Sequence, residues 1–400
     1  MAVSVKSVLE SLAWHGICSS EQVRELESRY QGCDDPSATA SLCKWLVRSG
    51  AATEYQTAIL QGKSSGVLKL GPYLVVGEVT RGRLAGMLKA KHAKLKFPVL
   101  LKTFLPGGDH NDLQTRLARF QREARVSIQM DHPHVVRTYH LGSEGEGYFL
   151  ALEDLRGGTL MELIHARGRG SESAARAWDF ARGQSNPQEV CRLIWEASLG
   201  LAHLHEQGIT HRDVTPHNIW VTPEGRVKLM GFGLARDSLV HLDSPRADME
   251  LADGELAPES TPYLAPEQIL RPDAAGASSD LFSLGCVLYH ALTSRAPFDQ
   301  TTDKVDAFTR RNPLPPGRIN SRVTEDLDHL VACMTAKNTA DRHPSARAVG
   351  IGLARCVSAD VASTPSPTQS PELVRFLNWV REATATNASV PLPRTGTDGP

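Results

Sequence analysis

Apolar residues in the N-terminal part of the chain repeat at the three-to-four-residue spacing of an amphipathic helix. Four groups follow one another: Val5, Val8, Leu9 and Leu12; Val23, Leu26 and Tyr30; Leu42, Trp45 and Leu46; Tyr55, Ile59 and Leu60. Ser19 or Ser20 is suited to cap the second helix and Thr53 the fourth, because a short side-chain oxygen accepts hydrogen bonds from the first helical amides. The pattern predicts a module of three or four short helices at residues 1–62, then a linker at 63–72.

The spacing of apolar residues shortens from Tyr73 onward. Segments that predict strands occur at residues 97–101, which are apolar, and at residues 132–136 and 148–152. Helical spacing returns at residues 120–124, 190–207 and 279–289. The polar, glycine-containing residues 167–187 predict a surface insertion between two helices. This order indicates an α+β protein in which a β-rich part precedes a larger helical part.

The last part of the chain, residues 359–400, is rich in Ser, Thr and Pro. Such a composition predicts a tail that is mostly disordered, because few apolar side chains are available to form a core. One exception is an amphipathic turn and a half that docks on the domain or on a partner, formed by Leu373, Phe376, Leu377 and Val380.

The composition excludes several classes of protein. With 41% hydrophobic and 22% charged residues the chain is globular, and a formal net charge of −1 does not suggest non-specific nucleic-acid binding. The cysteines form no C-x-x-C pair, which favours a reduced, cytoplasmic protein. A zinc site built from His15, Cys18, Cys33 and Cys43 lacks standard ligand spacing, so we favour apolar core cysteines. Neither a signal peptide nor a membrane-spanning run is predicted.

Two short blocks carry candidate chemistry. His211-Arg212-Asp213, followed after four residues by Asn218, matches the pattern H-R-D-x-x-x-x-N, and residues 265–267 match A-P-E. The chain therefore resembles the Ser/Thr protein kinases, particularly their bacterial branch. The resemblance implies a two-lobed protein-kinase-like fold at residues 73–358, with a small β-rich lobe at 73–155 and a large helical lobe at 156–358.

Further positions match the family in the expected order. Lys102 and Glu123 correspond to the lysine and glutamate whose ion pair positions ATP phosphates in an active kinase. Asp280 corresponds to the residue that braces the catalytic-loop backbone, and Arg342 to the arginine that pairs with Glu267. Asp213 would be the catalytic base and Asn218 a metal ligand.

The resemblance also implies a nucleotide slot, to which these residues would contribute: Gly82, Met87, Leu100, Lys102, Glu153, Leu155 and Trp220. In the glycine-rich loop Thr80 and Ala85 replace two of the three glycines. Met87, Leu100 and Trp220 are larger than the usual residues, so we expect them to fill the adenine space and the Trp220 ring to lie in the interlobe cleft. The slot is therefore predicted to be degenerate.

The strongest departure from the family is Gly231, which replaces the magnesium-binding Asp of Asp-Phe-Gly. Asn218 remains as a neutral metal ligand, and Thr215 replaces the lysine that follows the base. The favoured hypothesis is a pseudokinase that acts as a signalling scaffold or allosteric regulator, with no cofactor expected. The alternative is a divergent, weakly active Ser/Thr kinase that uses ATP and Mg²⁺.

Partners of a pseudokinase would be other signalling proteins, including an active kinase or its substrate, without nucleic acid or membrane insertion. The helical module at 1–62 is either an appendage packed on the kinase domain or a docking module. Between Gly231 and Glu267 acidic residues outnumber basic ones. This segment is either a solvated loop or a permanent mimic of phosphorylation that pairs with Arg212.

Overall fold

The fold is described from a computed structural model of the chain. The described residues are 4–30, 39–105, 110–145, 147–165, 178–179, 184–237, 259–298, 304–356 and 370–386.

The helices of these residues, in chain order, are α1 (Val5–Trp14), α2 (Ser20–Tyr30), α3 (Thr39–Arg48), α4 (Glu54–Leu60), α5 (His110–Gln129), α6 (Leu160–His165), α7 (Pro187–Glu206), α8 (Pro266–Leu270), α9 (Ala277–Thr293), α10 (Lys304–Arg310), α11 (Glu325–Met334), α12 (Ala346–Arg355) and α13 (Pro371–Thr386). The strands are β1 (Lys69–Leu70), β2 (Tyr73–Glu78), β3 (Leu88–His92), β4 (Pro98–Phe104), β5 (Thr138–Glu144), β6 (Gly147–Glu153), β7 (Gly158–Thr159), β8 (Trp178–Asp179), β9 (Gln184–Ser185), β10 (Ile209–Thr210), β11 (Ile219–Val221), β12 (Val227–Leu229) and β13 (Arg236–Asp237). Within the described ranges, no helix is long and apolar enough to cross a bilayer.

The chain divides into two compact units. The first comprises Met1–Gln114, Thr138–Asp154 and Thr368–Pro400, and the second comprises Thr115–Arg137 and Leu155–Pro367. The mixture of a β-rich unit and a helix-rich unit agrees with the predicted two-lobed α+β fold. The predicted domain boundaries at residues 62, 72 and 358 stay predictions.

The first unit is built on an antiparallel sheet with the strand order β1-β2-β3-β4-β6-β5. Strand β4 is central, and Leu100 and Leu101 on its opposite faces are both buried. Burial on both faces explains why the sequence of this strand is a continuous apolar run instead of an alternating one. The core of the sheet includes Tyr73, Val75 and Phe149.

The N-terminal helices have the caps that the sequence predicts. Ser19 Oγ accepts from the Gln22 amide at 3.1 Å, and Thr53 exchanges reciprocal hydrogen bonds with Gln56 at the start of α4. The Gln56 side chain also donates to the Val75 carbonyl of β2 at 2.8 Å, which ties α4 to the sheet. Cys18 and Cys43 belong to the apolar core of α1–α3, and Cys33 lies outside the described residues.

Part of the tail is ordered: residues 371–386 form α13, which is longer than the predicted turn and a half. Phe376 is fully buried, and its ring stacks on Phe97 with ring centroids 4.4 Å apart. Trp379 lies with its ring centroid 4.1 Å from that of His92. The predicted amphipathic segment therefore docks on the domain, because its aromatic side chains complete the core of the sheet. Residues 359–369 and 387–400 lie outside the described residues.

The second unit is organised around α7 and α9, which supply most of its apolar core. A small sheet of order β12-β11-β7 lies beside them. The strand predicted at residues 132–136 is wrong, since only an isolated bridge joins Val135 to Leu229 there, and the strand starts at Thr138 instead. The His134 ring is used within the core, at 3.0 Å from the Val227 carbonyl oxygen. Most of the predicted insertion, residues 167–177 and 180–183, lies outside the described residues.

Candidate active site

Asp280 holds the backbone of the catalytic loop. From α9 its Oδ2 accepts from the His211 amide and its Oδ1 from the Arg212 amide, both at 2.8 Å. His205 Nε2 lies 2.8 Å from the same Oδ2. Arg212 has a φ of +65°, a conformation that costs a non-glycine residue free energy and persists only where its surroundings hold it. The role that the resemblance implied for Asp280 is confirmed by these contacts.

The carboxylate of Asp213 is hydrogen-bonded at both oxygens. Asn218 Nδ2 donates to Oδ2 at 2.7 Å and to the Asp213 carbonyl at 2.8 Å, and Ser260 Oγ donates to Oδ1 at 2.7 Å. The fold thus brings together the predicted base and the predicted metal ligand. Ser260 is a site residue that sequence reasoning missed. Its only signal was a hydroxyl side chain a few residues before Ala265-Pro266-Glu267.

Gly231 follows β12 with φ +86° and ψ +47°, in the left-handed region. A Cβ built on Gly231 would lie 2.5 Å from Asn218 Oδ1, 2.6 Å from Cγ and 2.9 Å from Nδ2. Real Cβ contacts essentially never fall below 3.0 Å. The Asn218 carboxamide therefore occupies the space that any side chain at residue 231 would need.

This arrangement does not fit the magnesium site of an active kinase. Magnesium requires near-octahedral oxygen ligation, usually with carboxylate ligands, and the carboxylate normally found at position 231 is missing. Asn218 would contribute a neutral oxygen only. Thr215 is buried and brings no positive charge to the position of the usual lysine.

Phe232 anchors the short helical turn that follows Gly231. It packs in an apolar cluster with Val126, Leu204 and Ile209, and its ring lies 5.2 Å from that of His211. Arg122 Nη1 donates to the Gly233 carbonyl at 3.2 Å. The turn is therefore held by α5 even though its metal-binding residue is absent. The acidic residues 238–258 of this segment lie outside the described residues.

The candidate nucleotide residues of the second unit are Leu155, which is half-buried, and Trp220. Trp220 lies in β11, opposite Thr159 of β7 and Lys228 of β12, and is only 5% exposed. Its indole Nε1 donates to the Arg156 carbonyl at 2.8 Å, so the ring is fixed in one orientation. Its predicted position in the interlobe cleft stays a prediction.

The loop that replaces the glycine-rich loop lies in the first unit and is closed by its own hydrogen bonds. The Val79 amide donates to the Met87 carbonyl at 2.8 Å, Gly86 to Val79 at 2.9 Å and Ala85 to Gly82 at 3.1 Å. In a phosphate-binding loop such amides face the ligand. Here those of Val79, Ala85 and Gly86 are used within the loop.

The other predicted slot residues of the first unit lie on the sheet. Leu100 is 1% exposed and lies opposite Lys89 and Leu152, whereas Met87 is half-buried. Lys102 lies in β4 opposite Leu150, and Glu153 ends β6. Glu123 lies on α5 in the second unit, so its ion pair with Lys102 stays a prediction.

Glu267 and Arg342 form a buried bidentate ion pair, with Nη1–Oε1 and Nη2–Oε2 distances of 2.6 and 2.9 Å. Burial alone would raise the pKa of Glu267, but hydrogen bonds from Arg342 and Ser279 outweigh burial and lower that pKa below its usual value. The implied pairing of Arg342 with Glu267 is thereby confirmed.

Comparison with known proteins agrees with this geometry. The family model for the protein kinase domain matches residues 73–350. The serine/threonine-protein kinase PknL of Mycobacterium tuberculosis is 30% identical over 312 residues, which cover 77% of this chain and 69% of PknL. The serine/threonine-protein kinase PknB of Mycobacterium leprae is 32% identical over 253 residues, which cover 62% of this chain and 37% of PknB.

The braced catalytic loop, the Glu267–Arg342 pair and these similarities lead to one assignment. The chain belongs to the protein kinase family, within its bacterial, eukaryotic-like Ser/Thr branch.

Proposed function

We propose that this chain is a pseudokinase that uses the kinase fold as a signalling scaffold or allosteric regulator. One observation carries the proposal: the Asn218 carboxamide fills the space beside Gly231, where the family has a magnesium-binding carboxylate. Magnesium stabilises the transferred phosphoryl group by several kcal/mol. Loss of the magnesium ion therefore slows phosphoryl transfer by orders of magnitude.

The structural ion pairs and hydrogen bonds of the family are kept although the metal ligand is not. Asp280, Glu267 and Arg342 make the contacts that brace the large lobe of a kinase. Such bracing supports a role in which shape matters more than turnover. Partners of this scaffold are proposed to be signalling proteins, an active kinase or its substrate among them.

A weakly active Ser/Thr kinase is the second candidate. It is favoured by the Asp213 carboxylate, which is held by Asn218 and Ser260 at 2.7 Å each. A fixed carboxylate near a metal-binding amide is what general-base catalysis would need. In this candidate Asn218 is the main metal ligand.

Nucleotide binding tests the proposal. We expect the thermal unfolding midpoint of the purified protein to be unchanged by millimolar ATP with magnesium. A ligand at 100 times its Kd would add about 2.7 kcal/mol of stability. Lys102→Met is the informative variant, and Lys91→Met, at an exposed position of β3, is its matched control. A shift that disappears in Lys102→Met and persists in Lys91→Met would favour the enzyme.

Transfer of labelled phosphate from ATP gives the second readout. We expect background transfer from the wild type, Asp213→Asn and Gly231→Asp alike, because an added carboxylate at residue 231 meets the Asn218 carboxamide. Metal-dependent transfer by the wild type that is lost in Asp213→Asn would reject the pseudokinase proposal.

A further inference from the structure

A cavity of about 920 Å³ lies within the second unit, between the start of α7, α11 and the end of α12. Its lining includes three cysteines and several cationic or titratable side chains, namely Cys191, Cys333, Cys356, Arg322, His329 and Arg355. None of these residues belongs to the candidate active site. Thiols are the nucleophilic groups in this lining.

Helices α7 and α12 run antiparallel along each other beside this cavity. Near the middle of α7 the helices approach closely, since a Cβ on Gly350 would lie 2.9 Å from Ser198 Oγ. Toward the end of α7, Glu206 pairs with Arg347, which precedes Gly350. The helices are antiparallel, so the N-terminal residues of α7 must lie opposite the residues of α12 that follow Gly350.

Cys191 and Cys356 lie at that end of the helix pair. Cys191 lies seven residues before Ser198 and Cys356 six residues after Gly350, so the offsets are nearly equal. Both cysteines line the same cavity, and Cys356 packs against the apolar core that contains Cys191. Cys191 is 1% exposed, whereas Cys356 is half-buried.

The two thiols differ in exposure: Cys356 is half-buried beside the cavity, whereas Cys191 is buried in the core. The neighbouring Cys191 thiol also lowers the pKa of Cys356, against the opposing effects of burial and of Asp326. The more exposed Cys356 sulfur is therefore the nucleophile of the pair, and a thiolate is the form that reacts with oxidants.

We propose that Cys191 and Cys356 form a redox site in which hydrogen peroxide produces a reversible disulfide between α7 and α12. The Cys356 thiolate attacks one peroxide oxygen, the O–O bond breaks and hydroxide leaves, which gives a sulfenic acid. The Cys191 sulfur then attacks the Cys356 sulfur, the S–O bond breaks, and the departing hydroxide takes the Cys191 proton and leaves as water. The two sulfurs lose two electrons in total, and peroxide is reduced to water.

Other cysteines of the second unit differ from this pair. Cys286 is fully buried in α9, and burial raises its pKa to about 12. Cys333 is half-buried and lines the same cavity, and its Sγ donates to the Asp341 carbonyl at 3.2 Å. Cys333 is therefore the matched control, a thiol of similar exposure in the same lining. The redox site does not depend on the proposed pseudokinase function.

The full-length reduced protein is treated with hydrogen peroxide, blocked with a maleimide under unfolding conditions and analysed by intact and peptide mass spectrometry. We expect five maleimide adducts on the seven cysteines, a Cys191–Cys356 cross-linked peptide that is two hydrogen atoms lighter than its two reduced peptides together, and reversal by dithiothreitol. Cys333→Ser should keep the cross-link. Cys191→Ala should instead accumulate a Cys356 sulfenic acid that dimedone traps. Maleimide on both Cys191 and Cys356 after peroxide, or a cross-link through Cys333, would overturn the proposal.

Two further measurements separate reactivity from folding. The pH midpoint of Cys356 alkylation should be higher in Cys191→Ala than in the wild type, because the neighbouring Cys191 thiol lowers the pKa of Cys356. Oxidation should raise the Tm by roughly 5 °C, since a cross-link across a long loop restricts the unfolded chain. If Cys191→Ala does not fold, the wild-type cross-linking result decides by itself.

Discussion

The side chain of Asn218 and the backbone of Gly231 share one small space. An ideal Cβ on Gly231 would lie 2.5 Å from Asn218 Oδ1, while Asn218 Nδ2 is held by two hydrogen bonds to Asp213. The carboxamide cannot move away without breaking those bonds. Loss of the metal ligand and placement of the amide are therefore linked, and restoring an aspartate requires more than one substitution.

Substitution of Gly231 by alanine should destabilise the protein more than its backbone conformation alone explains. Gly86 has nearly the same φ, +84° against +86°, but nothing lies within 4 Å of a Cβ built there, so Gly86→Ala is the matched control. In Gly86→Ala we expect the free energy of unfolding to fall by roughly 1–2 kcal/mol, because alanine is strained in the left-handed backbone conformation. In Gly231→Ala we expect it to fall by about 1–3 kcal/mol more, because the new methyl group overlaps with Asn218.

Urea unfolding measures both free energies. Combining Gly231→Ala with Asn218→Ala should recover the steric part, because the overlapping atoms are removed. An equal decrease in the free energy of unfolding for Gly86→Ala and Gly231→Ala would show that the Asn218 side chain moves aside without cost.

Docking of α13 should contribute strongly to the stability of the first unit. Phe376 is 0% exposed and touches the rings of Phe97 and Tyr139 at centroid distances of 4.4 and 5.1 Å. Phe376→Ala should cost about 3–5 kcal/mol in urea unfolding, as for other buried aromatic residues. Val374→Ala, in the same helix but 42% exposed, should change the stability by less than about 0.5 kcal/mol. Similar effects of the two substitutions would contradict the docked arrangement.

The Glu267–Arg342 pair should show the penalty of an unpaired buried charge. Arg342→Met leaves the Glu267 carboxylate without its main partner and should cost about 3–5 kcal/mol. Adding Glu267→Gln should restore part of that loss. Lys6→Met breaks an exposed pair with Glu10 at 3.8 Å and serves as the control, with an expected loss of about 0–1 kcal/mol. Chemical denaturation at neutral pH compares the variants, and an equal loss for single and double variants would argue against this explanation.

His140 should make the stability depend on pH. Burial, together with the neighbouring His92, lowers the pKa of His140 to about 4, whereas an unfolded histidine has a pKa near 6.5. Between these values the unfolded state binds more protons, so stability rises with pH and is lost as pH falls from about 6.5 toward 4. The free energy of unfolding of the wild type falls as the pH is lowered from 7 to 5. In His140→Phe this decrease should be smaller by roughly 2 kcal/mol.

Urea unfolding at the two pH values gives the comparison. His329→Asn, at an exposed position, should leave the dependence as in the wild type. An unchanged pH dependence in His140→Phe would mean that other groups dominate in this range.

Local sequence patterns were sufficient for much of the fold. The reciprocal bonds of Thr53 and Gln56 connect residues three apart, so the start of α4 could be read directly from the sequence. The catalytic-loop and A-P-E patterns likewise fixed the roles of Asp280 and Arg342 by resemblance. The strand expected at 132–136 failed, because its apolar residues are used in a turn and a single bridge.

The sequence by itself determined the family, the helix caps and the absence of a carboxylate at residue 231, because these depend on residue identity and short-range hydrogen bonds. Only the tertiary structure decided which distant side chains come together: Ser260 with Asp213, Asn218 with the space beside Gly231, Phe376 with the sheet, and Cys191 with Cys356 in the lining of one cavity. Each of these contacts joins residues from separate elements, and packing of whole helices and strands selects them. Spacing along the chain carries little information about such contacts.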